Sequence, residues 1–387
     1  MTERLYDRDS HRREFRAAVL SCAPESGRWA VILDRSAFFP AGGGQAGDTG
    51  TLGGGRVLDT EERDGEVIHL CSDPLTPGET VTGTLDWSLR FARMQIHSGE
   101  HLVSGTAHRL WGCENVGFHM TERSATLDFA RELTADQLRE LERRVNESVW
   151  ADLPIRVFYP SPEELEKLVF RQKKALTGPV RLVEIPGVDL CACCAPHVEH
   201  TGEIGLVRLL DAQRHRGGIR ITMTAGRGAW ENAFAMGESA DALSRLFSAP
   251  KDALPAAAER VLSELENARQ ATAAMERRYT ALLAESAAET AGDLCFFLPG
   301  EMSAAAAREL AEAGKKKCGG ICAVFAGDDE TGWRYVMASE SVDLRAKAKE
   351  LNAALSGRGG GSSAMIQGGA SAPRAEIERV FYGEDRR

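Results

Sequence analysis

Two pairs of potential metal ligands stand out in the chain, and both have the same spacing. His97 and His101 are four residues apart in Trp87–Leu110, a segment whose apolar periodicity predicts a helix. Residues four apart share one helix face, so both imidazoles are expected to point the same way. Cys193 and His197 repeat the spacing of four. Three imidazoles and one thiolate form a tetrahedral set that suits zinc, so the sequence predicts one zinc ion per chain.

Two further cysteines compete with Cys193 for the role of ligand. Cys191 lies six residues before His197, and Cys194 lies three residues before it. Spacing alone does not rank the three thiols. Either pair by itself is more typical of a packing histidine or a small apolar cysteine than of a metal site. The two pairs together, with a glycine-rich loop earlier in the chain, favour the metal site.

That loop is Phe38–Gln45, with the sequence Phe-Phe-Pro-Ala-Gly-Gly-Gly-Gln, and Gly47-Asp-Thr-Gly50 follows it. Glycines let the backbone approach a ligand closely and expose several N–H donors. The side chain of Gln45 can both donate and accept a hydrogen bond. Taken alone, the loop is equally typical of a hairpin turn between two strands.

The composition is that of a globular protein rather than a membrane protein. The 387 residues are 43% hydrophobic and 27% charged, and this length favours two or three domains. No stretch approaches the ~20 apolar residues of a membrane span, and the polar start is unlike a secretory signal, so we expect a cytoplasmic protein. Nine cysteines in that compartment argue against a disulfide framework.

The formal net charge of −10 counts against a surface coated with phosphate-binding groups. Two local stretches are nevertheless basic. Arg171–Arg181 contains four cations, among them Lys173 and Lys174, and no acid, whereas Arg208–Arg227 contains five cations and one acid. Each stretch is either a local nucleic-acid surface or a solvated face balanced by neighbouring acids.

Periodicity and turn signals predict the elements that position these residues. Residues 1–90 are expected to form a small β-barrel domain from short strands divided by Gly and Pro clusters. Residues 91–228 are expected to form the α+β zinc-binding domain. Its predicted helices are Trp87–Leu110, Thr134–Asp152 with a cap at Thr134, and Pro162–Ala175. Its predicted strands are Ser124–Phe129, Ile155–Tyr159, Val180–Ile185, Gly205–Leu210 and Gly218–Thr224.

Residues 229–291 are expected to be a helical, coiled-coil-like segment. Pro255–Thr290 contains no glycine, and its apolar side chains follow a weak heptad pattern from Val261 to Leu282. This pattern predicts a long helix that packs on another helix, in this chain or in the second copy of a homodimer. Residues 292–387 are expected to be an α/β domain that ends with a glycine-rich loop, Gly357–Ala370. The predicted fold class is therefore α+β with several domains.

These motifs resemble the editing domain of alanyl-tRNA synthetase and its freestanding relatives, the AlaX-type editing proteins. The family's HxxxH helix is similar to His97-Ser-Gly-Glu-His101, and its C-x-x-x-H segment is similar to Cys193-Cys-Ala-Pro-His197. Thr201–Gly205 and Arg220–Gly226 extend the likeness. No aminoacylation domain is visible, so a freestanding editor is expected. The resemblance implies that the four zinc ligands are His97, His101, Cys193 and His197.

In this family the Gly-Gly-Gln loop lines the editing pocket. The resemblance therefore implies that Gly43, Gly44 and Gln45 bind the aminoacyl end of the tRNA. It implies that Asp48 also holds that end or orders the pocket. Gln45 and Glu100 are the expected catalytic residues. Because Glu100 stands beside a ligand, it is either a base that positions water or a partner that orients a histidine.

The chain departs from the family pattern at a few positions near the site. Ala41 stands where freestanding relatives often carry a hydroxyl residue thought to help recognise a serine side chain. Glu100 stands where synthetase domains commonly have threonine, and Ala195 and Pro196 replace the more usual Gly and Thr. The metal set is intact, whereas the amino-acid preference stays open.

The last third of the chain resembles the C-terminal region of alanyl-tRNA synthetase, whose globular part is a DHHA1-type domain. In such domains the glycine run often contacts nucleic acid, and Lys315–Lys317 adds a small basic spot here. The alternative is a tight turn before a helix. The resemblance implies RNA-binding roles for Gly359, Gly360, Gln367 and Gly368.

The function implied is hydrolysis of the ester that joins serine, or glycine, to the 3′ end of alanine tRNA. A synthetase pocket cannot strongly reject a substrate that merely adds a hydroxyl or loses a methyl group, so a second hydrolytic site is needed. Zinc would orient the aminoacyl adenosine, polarise the carbonyl or lower the pKa of a water. The alternatives are a non-catalytic tRNA-binding protein with a structural zinc, and a zinc hydrolase of free aminoacyl esters.

Overall fold

The computed structural model describes residues 1–172 and 179–383. They form two compact units, Met1–Asp241 and Ala242–Arg387, which are described in turn. Within these described residues, no helix combines the length and the apolar character that crossing a membrane requires.

The first unit begins with a barrel. Its elements are β1 (Glu3–Arg4), α1 (Leu5–Arg8), β2 (Glu14–Glu25), β3 (Arg28–Leu33), β4 (Arg35–Ser36), β5 (Gly50–Leu52), β6 (Gly55–Arg63), β7 (Glu66–Cys71) and β8 (Thr80–Leu85). Six strands close in the order β2-β3-β7-β6-β5-β8, and β1 pairs with β4 in parallel. Alternating inward side chains, among them Val31, Leu33 and Val57, fill the barrel. The connection from β4 to β5 carries the glycine-rich loop.

Helices and two further sheets complete the first unit. The elements are α2 (Trp87–Trp111), β9 (Asn115–Met120), β10 (Ala125–Phe129), α3 (Ala135–Trp150), β11 (Arg156–Phe158), α4 (Pro162–Leu165), β12 (Leu182–Ile185), β13 (Asp189–Ala192), β14 (Val207–His215) and β15 (Gly218–Ala225). The sheet β14-β15-β10-β9 and the smaller sheet β11-β12-β13 are both antiparallel. The predicted cap at Thr134 is confirmed, since its hydroxyl accepts from Gln137 N in a capping box.

Helix α2 is the central element of this unit. Every residue from Arg93 to Ala107 is buried, so this stretch is enclosed on all sides and not along one stripe. It ends at Gly112, whose φ of +58° gives a left-handed cap that favours glycine. At Gly105 an added Cβ would lie 2.6 Å from Asp189 Cβ. The missing side chain therefore lets β13 approach the helix closely.

The predicted helix Pro162–Ala175 is wrong in its extent. A capping box at Ser161 starts α4, but the helix ends at Leu165. Further on, Arg171 pairs through its backbone with the strand β13, because Arg171 N donates to Leu190 O and Ala192 N donates to Arg171 O. An extended residue at Arg171 is incompatible with a continuous helix, and residues 173–178 lie outside the described residues.

The second unit contains a five-stranded sheet with helices. The boundary between the two units lies within α5 (Arg227–Phe247), and the other elements of the second unit follow this helix. They are α6 (Leu254–Ser286), β16 (Leu294–Leu298), α7 (Ala304–Gly314), β17 (Cys322–Asp328), β18 (Gly332–Ala338), α8 (Leu344–Ala354), β19 (Gly357–Gly361), β20 (Met365–Ala370) and α9 (Arg374–Tyr382). The order is β16-β17-β18-β20-β19, and only the first pair is parallel. Each face of the sheet has its own apolar core.

The loop predicted at Gly357–Ala370 is wrong, because most of this run forms the hairpin β19–β20. Glycine disfavours strands, so the sequence did not indicate one. The reason lies in Tyr335 on the neighbouring strand. An added Cβ at Gly359 would lie 2.2 Å from its hydroxyl oxygen, and one at Gly368 would lie 2.6 Å from it. Glycine is needed there because the hairpin passes close to that hydroxyl.

The long helix α6 confirms the predicted element, and Pro255 lies in its first turn. Its heptad side chains are not covered within the described chain. Met275 is 72% exposed and Leu282 is 63% exposed. The partner expected for this stripe therefore stays a prediction.

A candidate metal centre

Three histidines and one cysteine converge between α2 and the turn that follows β13. His97 and His101 lie one turn apart on α2, and Cys193 and His197 follow β13. Their ligand atoms all lie within 4.8 Å of one another. Nε2 of His97 lies 3.5 Å from Cys193 Sγ, and Nε2 of His197 lies 3.4 Å from the same sulfur.

These separations fit a tetrahedral zinc site. With a Zn–S bond of ~2.3 Å, a Zn–N bond of ~2.05 Å and a tetrahedral angle, sulfur and nitrogen ligands stand about 3.5 Å apart. The three histidines are almost fully buried, whereas Cys193 is partly exposed. Donor chemistry, spacing and burial all suit the ion, so the residues present could hold zinc.

The structure also separates the three neighbouring cysteines. Cys193 is the one whose sulfur lies among the three histidines. Cys194 points away to the glycine loop, where its sulfur would lie 3.3 Å from a Cβ added at Gly43. Cys191 is buried on β13 and forms a second group with His101 and Asp189, whose ligand atoms also lie within 4.8 Å of one another.

Each histidine of the cluster is held at its other ring nitrogen. Nδ1 of His97 lies 3.1 Å from Gln45 Oε1, and Nδ1 of His197 lies 3.1 Å from Ser98 Oγ. Nδ1 of His101 lies 2.8 Å from Asp189 Oδ2. Such partners fix the ring orientation and keep the proton on Nδ1, which leaves Nε2 free to bind a metal.

Asp189 and Ser98 are site residues that the sequence reasoning missed. A signal for Asp189 was present, because Asp189, Cys191 and Cys193 alternate along β13 and its extension and share one face. The cysteine and histidine spacing by itself does not indicate a strand here, and only a strand makes this alternation meaningful. Ser98 has no comparable signal, since its contact with His197 depends on how distant segments pack.

Opposing electrostatic effects act on the ligands. Burial raises the pKa of the Cys193 thiol, but His97 and His197 outweigh burial and hold that pKa well below its ordinary value. Burial lowers the pKa of His197 to about 3. Burial also lowers the pKa of His101, but Asp189 and Cys193 outweigh it and hold that pKa well above the ordinary value. A lowered pKa of the Cys193 thiol favours the thiolate, and a lowered pKa of His197 favours its neutral form, which are the forms that bind a metal.

The glycine loop forms a tight turn beside the cluster. Gly42 and Gln45 exchange two backbone hydrogen bonds of 3.0 Å, and Gly43 and Gly44 between them have φ values of +60° and +87°. Positive φ at both central positions defines a type I′ turn, which favours glycine. The turn places Gln45 against His97. The amide nitrogen Nε2 of Gln45 is buried and has no hydrogen-bond partner among the described residues.

Asp48 lies behind this turn rather than at its surface. The carboxylate is 1% exposed, accepts from Phe39 N and pairs with the buried Arg90. Arg93 donates to the carbonyl of Gly47 at 2.7 Å. Of the two roles considered for Asp48, these contacts favour ordering the pocket over holding the substrate.

Glu100 is 1% exposed and held by two donors. Its Oε1 accepts from Ser104 Oγ at 2.6 Å and from Asn115 Nδ2 at 2.8 Å. Its Oε2 lies 3.9 Å from Nε2 of His101, on the side of the metal ligands. The Nδ1 atoms of the three histidines are bonded to other residues, so Glu100 does not orient a ligand in that way.

The basic stretch Arg208–Arg227 is largely balanced by acids. Four of its arginines form ion pairs: Arg208 with Glu142, Arg214 with Glu132, Arg220 with Asp128 and Arg227 with Glu231. This arrangement favours a solvated face over a nucleic-acid surface. Lys173 and Lys174 of the other stretch lie outside the described residues.

The predicted RNA-binding residues lie together on one hairpin of the second unit. Gly359 and Gly360 are on β19, and Gln367 and Gly368 are on β20. Gln367 Oε1 accepts from Arg308 at 2.9 Å. In the small basic spot directly after α7, Lys315 forms an ion pair with Glu312. The RNA-binding roles stay predictions.

Comparison with known proteins identifies relatives of this chain. Residues 180–222 match the family described as "Threonyl and Alanyl tRNA synthetase second additional domain". Alanyl-tRNA editing protein AlaX-L of Pyrococcus horikoshii is 32% identical over 236 residues, which are 58% of each chain. Alanine–tRNA ligase of Pyrococcus abyssi is 30% identical over 389 residues, covering 95% of this chain and 42% of the ligase.

The chain thus spans about half the length of these two relatives. A third relative is covered almost completely. Alanyl-tRNA editing protein AlaX-M of Saccharolobus solfataricus is 36% identical over 238 residues, which are 58% of this chain and 99% of that protein. An alignment of this identity over almost the whole of a relative shows that the chain belongs to the family of AlaX-type alanyl-tRNA editing proteins.

Proposed function

We propose that the chain is a zinc-dependent hydrolase that deacylates mischarged Ser-tRNA(Ala), with Gly-tRNA(Ala) as its second substrate. The observation that carries this proposal is the meeting of the ligand cluster and the glycine turn at Gln45. The Gln45 side chain touches a metal ligand, and its Nε2 has no hydrogen-bond partner in the part of the chain that the structure describes. The names of the relatives, alanyl-tRNA editing proteins, support the same reaction class.

The cluster His97, His101, Cys193 and His197 would hold one zinc ion. The ion would supply Lewis acidity, which polarises an ester carbonyl and favours the ionisation of water. Four protein ligands are typical of a structural site, so a catalytic role requires that substrate displaces a ligand or expands the coordination. Cys193 is partly exposed, whereas the three histidines are buried. We therefore propose that substrate approaches the site from the side of Cys193.

Glu100 is assigned the role of proton acceptor. Ser104 and Asn115 fix its Oε1, and its Oε2 lies 3.9 Å from the ligating nitrogen of His101. A carboxylate held in this way can take a proton from an attacking water and deliver it to the leaving 3′ oxygen. The alternative role, orienting a histidine, is already filled by Gln45, Asp189 and Ser98.

Gln45 is assigned the role of hydrogen-bond donor to the aminoacyl carbonyl. With a metal on Nε2, His97 carries its proton on Nδ1 and needs an acceptor there, which fixes Oε1 toward His97 and Nε2 away from it. A donor aimed at the developing oxyanion stabilises the transition state. The backbone at Gly43 and Gly44 would approach the aminoacyl end, and Asp48 would keep this turn in place through Arg90.

Ala41 sets the expected amino-acid preference. Its backbone N–H donates to Thr60 O at 2.9 Å, and its exposed methyl group has nothing to donate to a serine hydroxyl. We therefore expect serine to be accepted by size rather than by a hydrogen bond at this position. Glycine, which is smaller, would then be released at a rate close to that of serine.

Two partners belong to the proposal. The tRNA would be held with help from the hairpin residues Gly359, Gly360, Gln367 and Gly368 of the second unit, which we propose to be a DHHA1-type domain. A homodimer through the exposed stripe of α6, near Met275 and Leu282, would cover apolar surface that the described chain leaves open.

Deacylation assays with metal analysis of the same sample test the proposal. The purified chain should contain one zinc ion and release serine and glycine from tRNA(Ala), but spare Ala-tRNA(Ala). His101→Ala with Cys193→Ala should abolish both zinc and activity, and unchanged deacylation in that variant would contradict the proposal. Tight tRNA binding without deacylation would indicate the structural-zinc alternative. Equal cleavage of free aminoacyl esters would indicate the unspecific hydrolase.

A further inference from the structure

His101 belongs to two groups of residues that are each competent to bind a metal. The first group is the proposed zinc cluster with His97, Cys193 and His197. The second consists of His101, Asp189 and Cys191, all buried, with their ligand atoms within the same 4.8 Å. Both groups need His101, and an ion on its Nδ1 would have to displace the proton that Asp189 accepts, so occupation of one group disfavours occupation of the other. The fold must therefore decide between the two.

The orientation of the Asp189 carboxylate determines which of the two groups can hold the metal. Both of its oxygens are bonded by Arg171, with Nε 2.7 Å from Oδ1 and one terminal nitrogen 2.7 Å from Oδ2. Oδ2 also accepts from His101 Nδ1. A planar guanidinium that binds both oxygens fixes the plane of the carboxylate as well as its position. In this state Oδ2 of Asp189 accepts from Arg171 and His101 and Oδ1 accepts from Arg171, so a metal would have to compete with these donors for the carboxylate.

Arg171 is itself firmly placed. Its side chain is about 10% exposed, and its backbone forms two hydrogen bonds to the strand that carries Asp189 and Cys191. The arginine and the aspartate therefore move with the same strand. Gly105 on α2 allows that strand to approach, which brings the pair to His101. The bidentate pair is thus built into the fold and is not a flexible surface contact.

We propose that Arg171 is a positioning residue that selects the metal site. By holding both oxygens of Asp189 it keeps the carboxylate as a hydrogen-bond acceptor for His101, and it prevents Asp189 from becoming a ligand together with Cys191. Without Arg171 the carboxylate turns freely, the ring of His101 loses its fixed orientation, and the second group competes for the ion. This inference rests on the proposed zinc site and does not depend on the hydrolytic reaction.

Zinc binding by the full chain tests the inference without any activity assay. Chelator competition should show that Arg171→Gln weakens zinc binding by about 10–100-fold, the usual effect of losing a residue that orients a metal ligand. Arg171→Lys keeps the positive charge but loses the planar guanidinium that binds both carboxylate oxygens. It should therefore lose less zinc affinity than Arg171→Gln. Arg63→Gln is the matched control. Arg63 also binds a carboxylate through two nitrogens, that of Glu25, but lies in the barrel. Its variant should bind zinc as the wild type does.

A second comparison separates site selection from simple damage to the fold. Cys193→Ala alone keeps the three histidines but should bind zinc more weakly than the wild type, because the thiolate is lost and Arg171 still keeps Asp189 from replacing it. Adding Arg171→Gln should restore binding about tenfold by freeing Asp189 to act as a ligand. A further Cys191→Ala should remove the restored binding. Cobalt in place of zinc reports the same change, through the loss and return of its thiolate absorption.

Each outcome is decisive. If the wild type binds zinc and Arg171→Gln and Arg171→Lys bind it equally well, Arg171 has no positioning role. If Arg171→Gln fails to improve zinc binding in the Cys193→Ala background, the second group does not compete for the ion. The proposal that Arg171 selects the metal site is then wrong. If the wild type itself binds no zinc, both the proposed function and this inference fall. Zinc binding without deacylation would contradict the function alone.

Discussion

The carboxamide of Gln45 joins the glycine turn to the metal ligands, because its Oε1 lies 3.1 Å from Nδ1 of His97. The same group carries a buried Nε2 that has no partner among the described residues. One side chain thereby has two separable tasks: to orient a ligand and to donate to substrate. Two substitutions can distinguish them.

Gln45→Ala removes both tasks, whereas Gln45→Glu keeps an acceptor for His97 and removes the donor. We expect Gln45→Ala to weaken zinc binding by about tenfold or more. Gln45→Glu should retain zinc yet lower kcat for Ser-tRNA(Ala) by about 100-fold, the usual effect of losing one oxyanion donor. Chelator competition and single-turnover deacylation measure the two effects. A Gln45→Glu variant with normal kcat would show that the amide does not act on substrate.

Gly44→Ala tests the turn. An added Cβ would lie 2.7 Å from Phe118 Cδ1, and the ring of Phe118 packs against His97 with centroids 5.0 Å apart. The φ of +87° adds backbone strain. Gly65→Ala is a matched control, because its φ is +82° and nothing lies within 4 Å of its Cβ. Both variants should lower the urea midpoint, but only Gly44→Ala should also lose deacylation. Equal activity in the two would refute the role of the close contact.

The buried pair of Asp48 and Arg90 should be important for stability. Asp48→Asn removes the charge that compensates Arg90, which is 1% exposed, so we expect a loss of about 3 kcal/mol or more. Asp128→Asn removes the same kind of charge from a more exposed pair with Arg220 and should shift the urea midpoint little. Urea unfolding of both variants measures the contrast. Comparable shifts would mean that Asp48 is not paired with Arg90 in a buried site.

His69 should make stability depend on pH. It is fully buried in the barrel between Ser36 Oγ and Val31 O, and burial lowers its pKa to about 4. The unfolded chain has an ordinary histidine pKa near 6.5 and so binds the proton more readily. Stability is therefore complete above about pH 6.5, is lost as the pH falls toward 4, and levels off below that value, a total of about 3 kcal/mol.

His69→Gln isolates this contribution. The difference in free energy of unfolding between wild type and variant should shrink or change sign between pH 6.5 and 4, because other groups titrate alike in both. Urea unfolding at several pH values measures it. A difference that stays constant over this range would show that His69 binds a proton in the folded barrel as readily as in the unfolded chain, so that burial does not lower its pKa.

The sequence predicted the ligand pairs because each pair is local. His97 and His101 lie one turn apart on a single helix, and that helix was expected within one residue of its observed end. The partners of those ligands are not local. The alternation along β13 places Asp189 on the face of Cys193, but its contact with His101 forms only when β13 packs against α2. The contacts of Arg171 with Asp189 and of Ser98 with His197 likewise depend on how distant segments pack. For the same reason the sequence does not predict the hairpin β19–β20, since two of its glycines, Gly359 and Gly368, lie close to Tyr335 on another strand.

Glu100→Gln tests the proposed proton acceptor. The amide oxygen can still accept from Ser104 and Asn115, so fold and zinc binding should be kept. The amide cannot take a proton, and kcat should fall by about 100-fold to 10,000-fold. Ser104→Ala removes one of the two donors but leaves the carboxylate, so its kcat should fall much less. Rapid-quench deacylation with zinc analysis checks both variants. If Glu100→Gln retains kcat within a few-fold, Glu100 only supports the helix, and another residue must accept the proton. If it loses zinc as well as activity, Glu100 acts through the metal ligands.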